Sequence, residues 1–174
     1  MIAPPESTTV GLLLLAAGES RRMGRPKQLL PFAGTTLLRH ACRTALATPW
    51  RPVVVVLGFE NAACAAEISD LPVALVLNPQ WPEGMGGSLR VGLARLLELS
   101  PETAGVLVLL PDQPLVEAGD LTNLMAAWDP PRRPIAAAAY NGVLGVPAVF
   151  ARALFEELAS LQGPAGARAV IARH

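Results

Sequence analysis

The chain has a single lysine among its fourteen basic residues, two cysteines, two histidines and one tyrosine. Each scarcity excludes something. Charged residues make up 16% of the sequence and acids balance bases at 14 each, which argues against nucleic acid as the main partner. Cys42 and Cys64 fit neither a metal-ligand spacing nor a redox pair. Both fall in Ala-rich helical stretches, where a small buried thiol is expected, and a reducing cytoplasm is the expected compartment. No apolar run reaches the roughly 20 residues needed to span a membrane. Residues 1–9 lack a basic start before an apolar core, so a secretory signal is not expected and a loose tail is. His40 sits among Leu and Ala on a helical pattern and reads as structural, while His174 is the terminal residue.

What remains is apolar. Residues of the AVILMFWYC class make up 52% of 174 positions, enough for one domain, residues 10–174, with a sizeable core. Strand-like runs cover Val10 to Ala16, Val53 to Leu57, Val73 to Leu77, Val106 to Leu110 and Ile135 to Ala139. Several are apolar at successive positions, which suits strands covered on both faces and hence a parallel sheet. Helical stripes alternate with them: Leu37 to Leu46, Leu89 to Leu97, Leu121 to Trp128, and Ala151 to Leu161. This alternation predicts an α/β fold, a three-layer, doubly wound, mostly parallel sheet of Rossmann-like form. Asn141-Gly142 is a hairpin signal that brings Val143 to Val146 back beside a neighbour and mixes the sheet. Pro130 to Pro134 reads as a stiff surface connection.

In open α/β sheets ligands bind beyond the carboxyl ends of the strands. Three segments in such positions carry chemistry. The first runs from Gly18 to Lys27. Its glycines permit close backbone approach, and Arg21, Arg22, Arg25 and Lys27 concentrate positive charge, as a triphosphate requires. Lysine is a compact point charge where arginine is a rigid fork, so the lone Lys27 is a candidate phosphate ligand; a solvated surface charge is the plain alternative. The loop is neither a Walker A nor a Gly-x-Gly-x-x-Gly motif. The second segment, Asn78 to Arg90, places glycines before a helix, with Ser88 as an expected N-cap. The third, Leu109-Leu110-Pro111-Asp112-Gln113-Pro114, sets Asp112 at the end of an apolar strand. A charge there is costly unless paired, and Mg²⁺ commonly takes one or two carboxylates plus substrate phosphates. A turn or cap Asp is the alternative.

Together these segments resemble the nucleotidyltransferases of the molybdenum cofactor type, within the glycosyltransferase-A-like nucleotidyltransferases. That family opens on Leu-x-Ala-Ala-Gly-x-Ser-x-Arg-Met-Gly-x-Pro-Lys-x-Leu-Leu, and Leu14 to Leu30 match it almost throughout. Asp112-Gln113-Pro114 resembles its metal-binding motif, and Asn78, Trp81, Gly84-Met85 and Ser88-Leu89-Arg90 its middle segment. Gly145-Val146-Pro147 and Gly163 to Arg168 resemble later, weaker motifs.

The resemblance implies a Mg²⁺-dependent transfer of a nucleotidyl group, CMP from CTP, onto the phosphate of molybdenum-loaded molybdopterin, with release of pyrophosphate. Ala16-Ala17-Gly18 is similar to the cytidylyl type, whereas guanylyl relatives carry Leu-Ala-Gly-Gly. By the same resemblance Leu15, Ala16, Ala17, Gly18, Gly84 and Ser88 bind the nucleotide, together with Arg22 and Lys27. Lys27 would neutralise the α-phosphate or the acceptor phosphate, Arg22 would hold the β/γ end, and Asp112 would hold Mg²⁺. A phosphate acceptor is already largely dianionic at neutral pH, so no general base is required. Relatives continue through a further strand with an acidic Asp-x-Asp-Thr-Pro-Glu-Asp-like segment, which the domain is expected to lack after His174. Two alternatives stand beside this reading. One is a sugar-phosphate or other phosphate-acceptor nucleotidyltransferase. The other is a non-catalytic nucleotide or cofactor carrier, with a molybdoenzyme or its chaperone as partner.

Overall fold

The computed structural model describes residues 9–19, 26–164 and 166–174. Residues 1–8 of the expected tail and the arginines of the first loop, Arg21, Arg22 and Arg25, lie outside the described residues, as does Ala165.

Three strands form the centre of a six-stranded sheet. β1 (Val10–Ala16) pairs in parallel with β4 (Val53–Leu57) on one side and β6 (Gly105–Leu109) on the other. Every residue of all three is buried, the outcome expected of continuously apolar strands covered on both faces. The alternation of side chains splits them between two cores. Leu12, Leu14 and Ala16 face the layer of α1 (Leu37–Leu46), α2 (Asn61–Glu67) and α4 (Ala118–Ala127). Leu13 and Leu15 face the layer of α3 (Met85–Leu99), α5 (Phe155–Ala159) and α6 (Ala167–Ile171). Each fully buried Leu contributes roughly 1.5–3 kcal/mol relative to exposure.

The strand order is β5-β4-β1-β6-β8-β7. β5 (Ala74–Leu77) continues the parallel set, whereas β8 (Val143–Ala151) runs antiparallel to both β6 and β7 (Ile135–Tyr140). The mixed sheet follows from the Asn141-Gly142 turn, whose residues have φ of 50° and 79°. That double left-handed turn matches the twist of the strands it joins. The sheet is thus the mostly parallel, doubly wound α/β architecture predicted.

Two local expectations are corrected. The stripe from Ala151 to Leu161 is not one helix. Ala151 ends β8 opposite Gly105, and the Arg152 amide donates to Ala104 O at 2.8 Å. The Arg152 guanidinium donates to Pro101 O at 2.6 Å and Thr103 O at 2.7 Å. These bonds hold Arg152 to the sheet margin, so α5 proper is confined to Phe155–Ala159. Nor does Ser88 cap a helix: α3 already begins at Met85, with Gly84 at the cap position. Two further elements carried too little periodicity to be foreseen. They are the small hairpin of β2 (Pro31–Phe32) and β3 (Thr35–Thr36), and the five-residue α6.

Candidate active site

Because β1 and β6 are parallel neighbours, their carboxyl ends open side by side. The chain leaves β1 through Ala17, Gly18 and Glu19, and leaves β6 through Leu110, Pro111 and Asp112. Between them lies a cleft of about 410 Å³. A single turn of 3₁₀ helix, Lys27–Leu29, brings Lys27 to its mouth. Lys27 Nζ donates to Asp112 Oδ2 at 2.5 Å across 85 residues of sequence, with the two side chains 33% and 35% exposed. The two charged residues singled out by composition and position therefore meet.

The opposite wall comes from Trp81, Pro82, Glu83, Gly84, Met85 and Ser88. Gly84 has φ of +122°, a backbone state that L side chains rarely adopt, and a Cβ there would collide with the Gly163 carbonyl. The Gly86 amide donates to the same carbonyl at 3.1 Å. The Gly163-Pro164 turn is thereby pinned against the start of α3, and Pro164 joins the lining. Buried Asn78 fixes the wall from behind: its Nδ2 donates to Ser88 Oγ at 3.0 Å, and its Oδ1 accepts from the Gln80 amide at 3.0 Å. Trp81 packs edge-to-face on Phe59, ring centroids 5.5 Å apart.

Of the residues expected to bind nucleotide, Leu15, Ala17, Gly18, Lys27, Gly84 and Ser88 line the cleft, as does Asp112. Ala16 does not: strand alternation sends its side chain into the opposite core, and its carbonyl accepts from Gln28 Nε2 at 2.9 Å. Arg22 lies outside the described residues. Sequence reasoning assigned no role to Gln28, which is 1% exposed and lines the cleft, or to the carboxylates Glu19 and Glu83. For Gln28 the available signal was a polar residue inside the apolar stretch after Lys27; for the two glutamates there was none beyond proximity to glycine.

The surroundings support the loop that carries Asp112. Gln113 Nε2 donates to Val146 O at 2.6 Å and to the Tyr140 hydroxyl at 3.3 Å. His40 Nε2 lies 3.1 Å from Pro114 O, and its ring meets Phe32 edge-on at 4.9 Å. His40 does not line the cleft. Cys42 and Cys64 are fully buried, and burial pushes their thiols up to about 12 and about 11.

A family profile, the MobA-like NTP transferase domain, matches residues 12–174. The chain belongs to the MobA-like NTP transferase family. Within it, the chain is 36% identical over 166 residues to nicotine blue oxidoreductase of Paenarthrobacter nicotinovorans, covering 90% of this chain and 78% of the relative. Purine catabolism protein PucB of Bacillus subtilis is 29% identical over 168 residues, covering 91% and 78%. Among solved structures, Rv0371c of Mycobacterium tuberculosis superposes with a TM-score of 0.82 at 31% identity over 96% of this chain and 84% of that one. Its complex with manganese superposes at 0.77 with 30% identity over 95% and 82%. Membership accounts for the fold and supports nucleotidyltransferase activity. No helix among the described residues is long and apolar enough to cross a membrane.

Proposed function

We propose that this MobA-like protein transfers a nucleotidyl group, CMP from CTP, onto the phosphate of molybdenum-loaded molybdopterin. The observation that carries the reading is the Lys27–Asp112 contact of 2.5 Å at a cleft formed by the opening motif. It sets one cation and one carboxylate where a triphosphate would lie.

Asp112 fits a divalent cation. It is a hard oxygen donor, about a third exposed, at the rim of a cavity wide enough for phosphates. Among the described residues no group of three or more His, Cys, Asp or Glu could hold a metal. Mg²⁺ binds through one or two carboxylates and completes its shell with water and substrate oxygens. Bound there, Mg²⁺ would supply charge neutralisation at the phosphates. The manganese complex of Rv0371c supports a divalent cation in the family.

The rest belongs to the protein. Lys27 leaves Asp112 for the triphosphate and offsets the charge that builds at the α-phosphate. Ala17 and Gly18 bring backbone close to the nucleotide, and Gly84 and Ser88 form its opposite support. Arg22 would hold the β/γ end. An oxygen of the acceptor phosphate bonds to the α-phosphorus, the bond from that phosphorus to the bridging oxygen of the β-phosphate breaks, and pyrophosphate leaves with both electrons. The acceptor needs no base, consistent with a cleft without histidine among its described residues. Ala16-Ala17-Gly18 supports CTP over GTP. The buried free thiols suit a cytoplasmic setting, where a molybdoenzyme or its chaperone would receive the product.

The test is pyrophosphate release with each of four nucleoside triphosphates, Mg²⁺, and molybdenum-loaded molybdopterin or a sugar phosphate as acceptor. CTP-selective release that requires molybdopterin supports the reading; release with a sugar phosphate instead would move the protein to that acceptor class. A second reading, oxidoreductase activity, is favoured by the 36% identity to the relative named nicotine blue oxidoreductase. Lys27→Ala separates the two, because an oxidation or reduction develops no phosphate charge for Lys27 to offset.

A further inference from the structure

Three consecutive carbonyl oxygens at the end of β1 are all bonded inside the protein. Gln28 Nε2 donates to Ala16 O at 2.9 Å and to Gly18 O at 2.6 Å. Between them, Ala17 O accepts from the Phe59 amide at 3.0 Å. Phe59 can approach because its neighbour is Gly58, where a Cβ would sit 2.7 Å from that same Ala17 oxygen. Gln28 itself is 1% exposed. The chemistry fixes its orientation, since a flipped amide would set Oε1 against two carbonyl oxygens. Among the described residues Oε1 has no hydrogen-bond partner, and the side chain is held there by its donor end. A residue kept in a cleft wall with one polar atom unsatisfied is doing something that an apolar residue of the same shape would not.

In a trans peptide the N–H points opposite to the C=O of the same unit. Turning the carbonyls of Ala16, Ala17 and Gly18 into the protein therefore sets the directions of the Ala17, Gly18 and Glu19 amides. Ala17, Gly18 and Glu19 all line the cleft. Successive oriented amides bind anionic oxygen without reorganising when the ligand arrives.

We propose that Gln28 is a positioning residue that presets the amides of Ala17 and Glu19 for the bound nucleotide, while the Phe59 amide holds the unit between them. This rests on the nucleotidyltransferase reading of the same cleft. Gln28 touches no reacting atom; it acts through the backbone it clamps. Lys27, its sequence neighbour, is delivered by the same 3₁₀ turn, so one buried side chain ties the phosphate-facing lysine to the loop it serves.

The test measures binding of a non-hydrolysable CTP analogue with Mg²⁺ by calorimetry, at a temperature where each variant is folded by circular dichroism. Gln28→Met keeps the volume and removes both donations. It should weaken nucleotide binding about tenfold in that titration, and in a separate turnover assay with CTP leave the acceptor KM within about twofold. Gln28→Glu supplies a pH readout. Ionised, its carboxylate faces two carbonyl oxygens and opens the clamp; protonated, it donates to one of them and restores half. Affinity relative to wild type should therefore rise as pH falls from 8 to 6. Folded Gln28→Met that binds like wild type overturns the proposal while leaving the nucleotide site intact. A pH-independent ratio for Gln28→Glu overturns it as well, and decides alone if the Met variant does not fold. Wild-type protein that binds no nucleotide overturns both this proposal and the reading beneath it.

Discussion

Lys27 Nζ and Asp112 Oδ2 lie 2.5 Å apart, joining the loop after β1 to the loop after β6. The pair compensates a carboxylate beside an apolar strand end and keeps an ammonium at the mouth of the cleft. Both side chains remain about a third exposed, so the contact adds little to folding. Lys27→Met should change unfolding free energy by less than about 1 kcal/mol. If Lys27 offsets developing phosphate charge, turnover should fall about 100- to 1,000-fold. Parallel turnover and thermal denaturation measurements decide it; equal and modest losses in both would remove Lys27 from the chemistry.

Asp112→Asn keeps the shape and removes the charge. Divalent cation binding, followed by Mn²⁺ paramagnetic resonance in the presence of a non-hydrolysable nucleotide, should weaken at least tenfold. Unchanged Mn²⁺ binding would place the metal elsewhere.

Gly84→Ala tests the closed wall. Its φ of +122° and the adjacent Gly163 carbonyl leave no space for a Cβ. Backbone strain of this kind costs about 1–3 kcal/mol. The melting temperature should fall, and the Gly163-Pro164 turn should lose hydrogen-exchange protection at the Gly86 amide. A melting temperature equal to wild type would show that the turn is not pinned there.

Away from the site, Arg39 and Asp70 form a two-pronged ion pair, at 2.7 and 2.5 Å, that ties α1 to the turn after α2. The side-chain bond from Arg39 lowers the Asp70 carboxyl from its ordinary 3.8 to about 2. A carboxylate depressed in the folded state stabilises above its unfolded pKa, and that contribution fades as pH falls toward the folded value. Asp70→Asn should therefore be less stable than wild type near pH 6. The difference should shrink between about pH 4 and pH 2 in urea titrations. A gap independent of pH would assign the effect to packing.

The central sheet was legible because Leu12 to Leu15, Val53 to Val56 and Val106 to Leu109 are apolar at every position, which only strands buried on two faces tolerate. Asn141-Gly142 announced the antiparallel addition through turn chemistry alone. Arg152 was not legible: its bonds to the carbonyls of Pro101, Thr103 and Ala104 are tertiary, and local periodicity favoured a longer helix. Lys27 and Asp112 were each legible, from motif and strand-end position, but their ion pair was not, because it joins two loops 85 residues apart. Ser88 was misplaced because Gly86 and Gly87 looked like loop, whereas both are buried within the first turns of α3. The clamp by Gln28 depends on long-range backbone direction, which no residue pattern displays.

The most direct measurement of the central claim is mass spectrometry of the acceptor after incubation with CTP and Mg²⁺. The account predicts that wild-type protein adds one cytidylyl group to molybdenum-loaded molybdopterin with stoichiometric pyrophosphate, and that Lys27→Met does so far more slowly. An unmodified acceptor in the presence of folded, nucleotide-binding protein would contradict it.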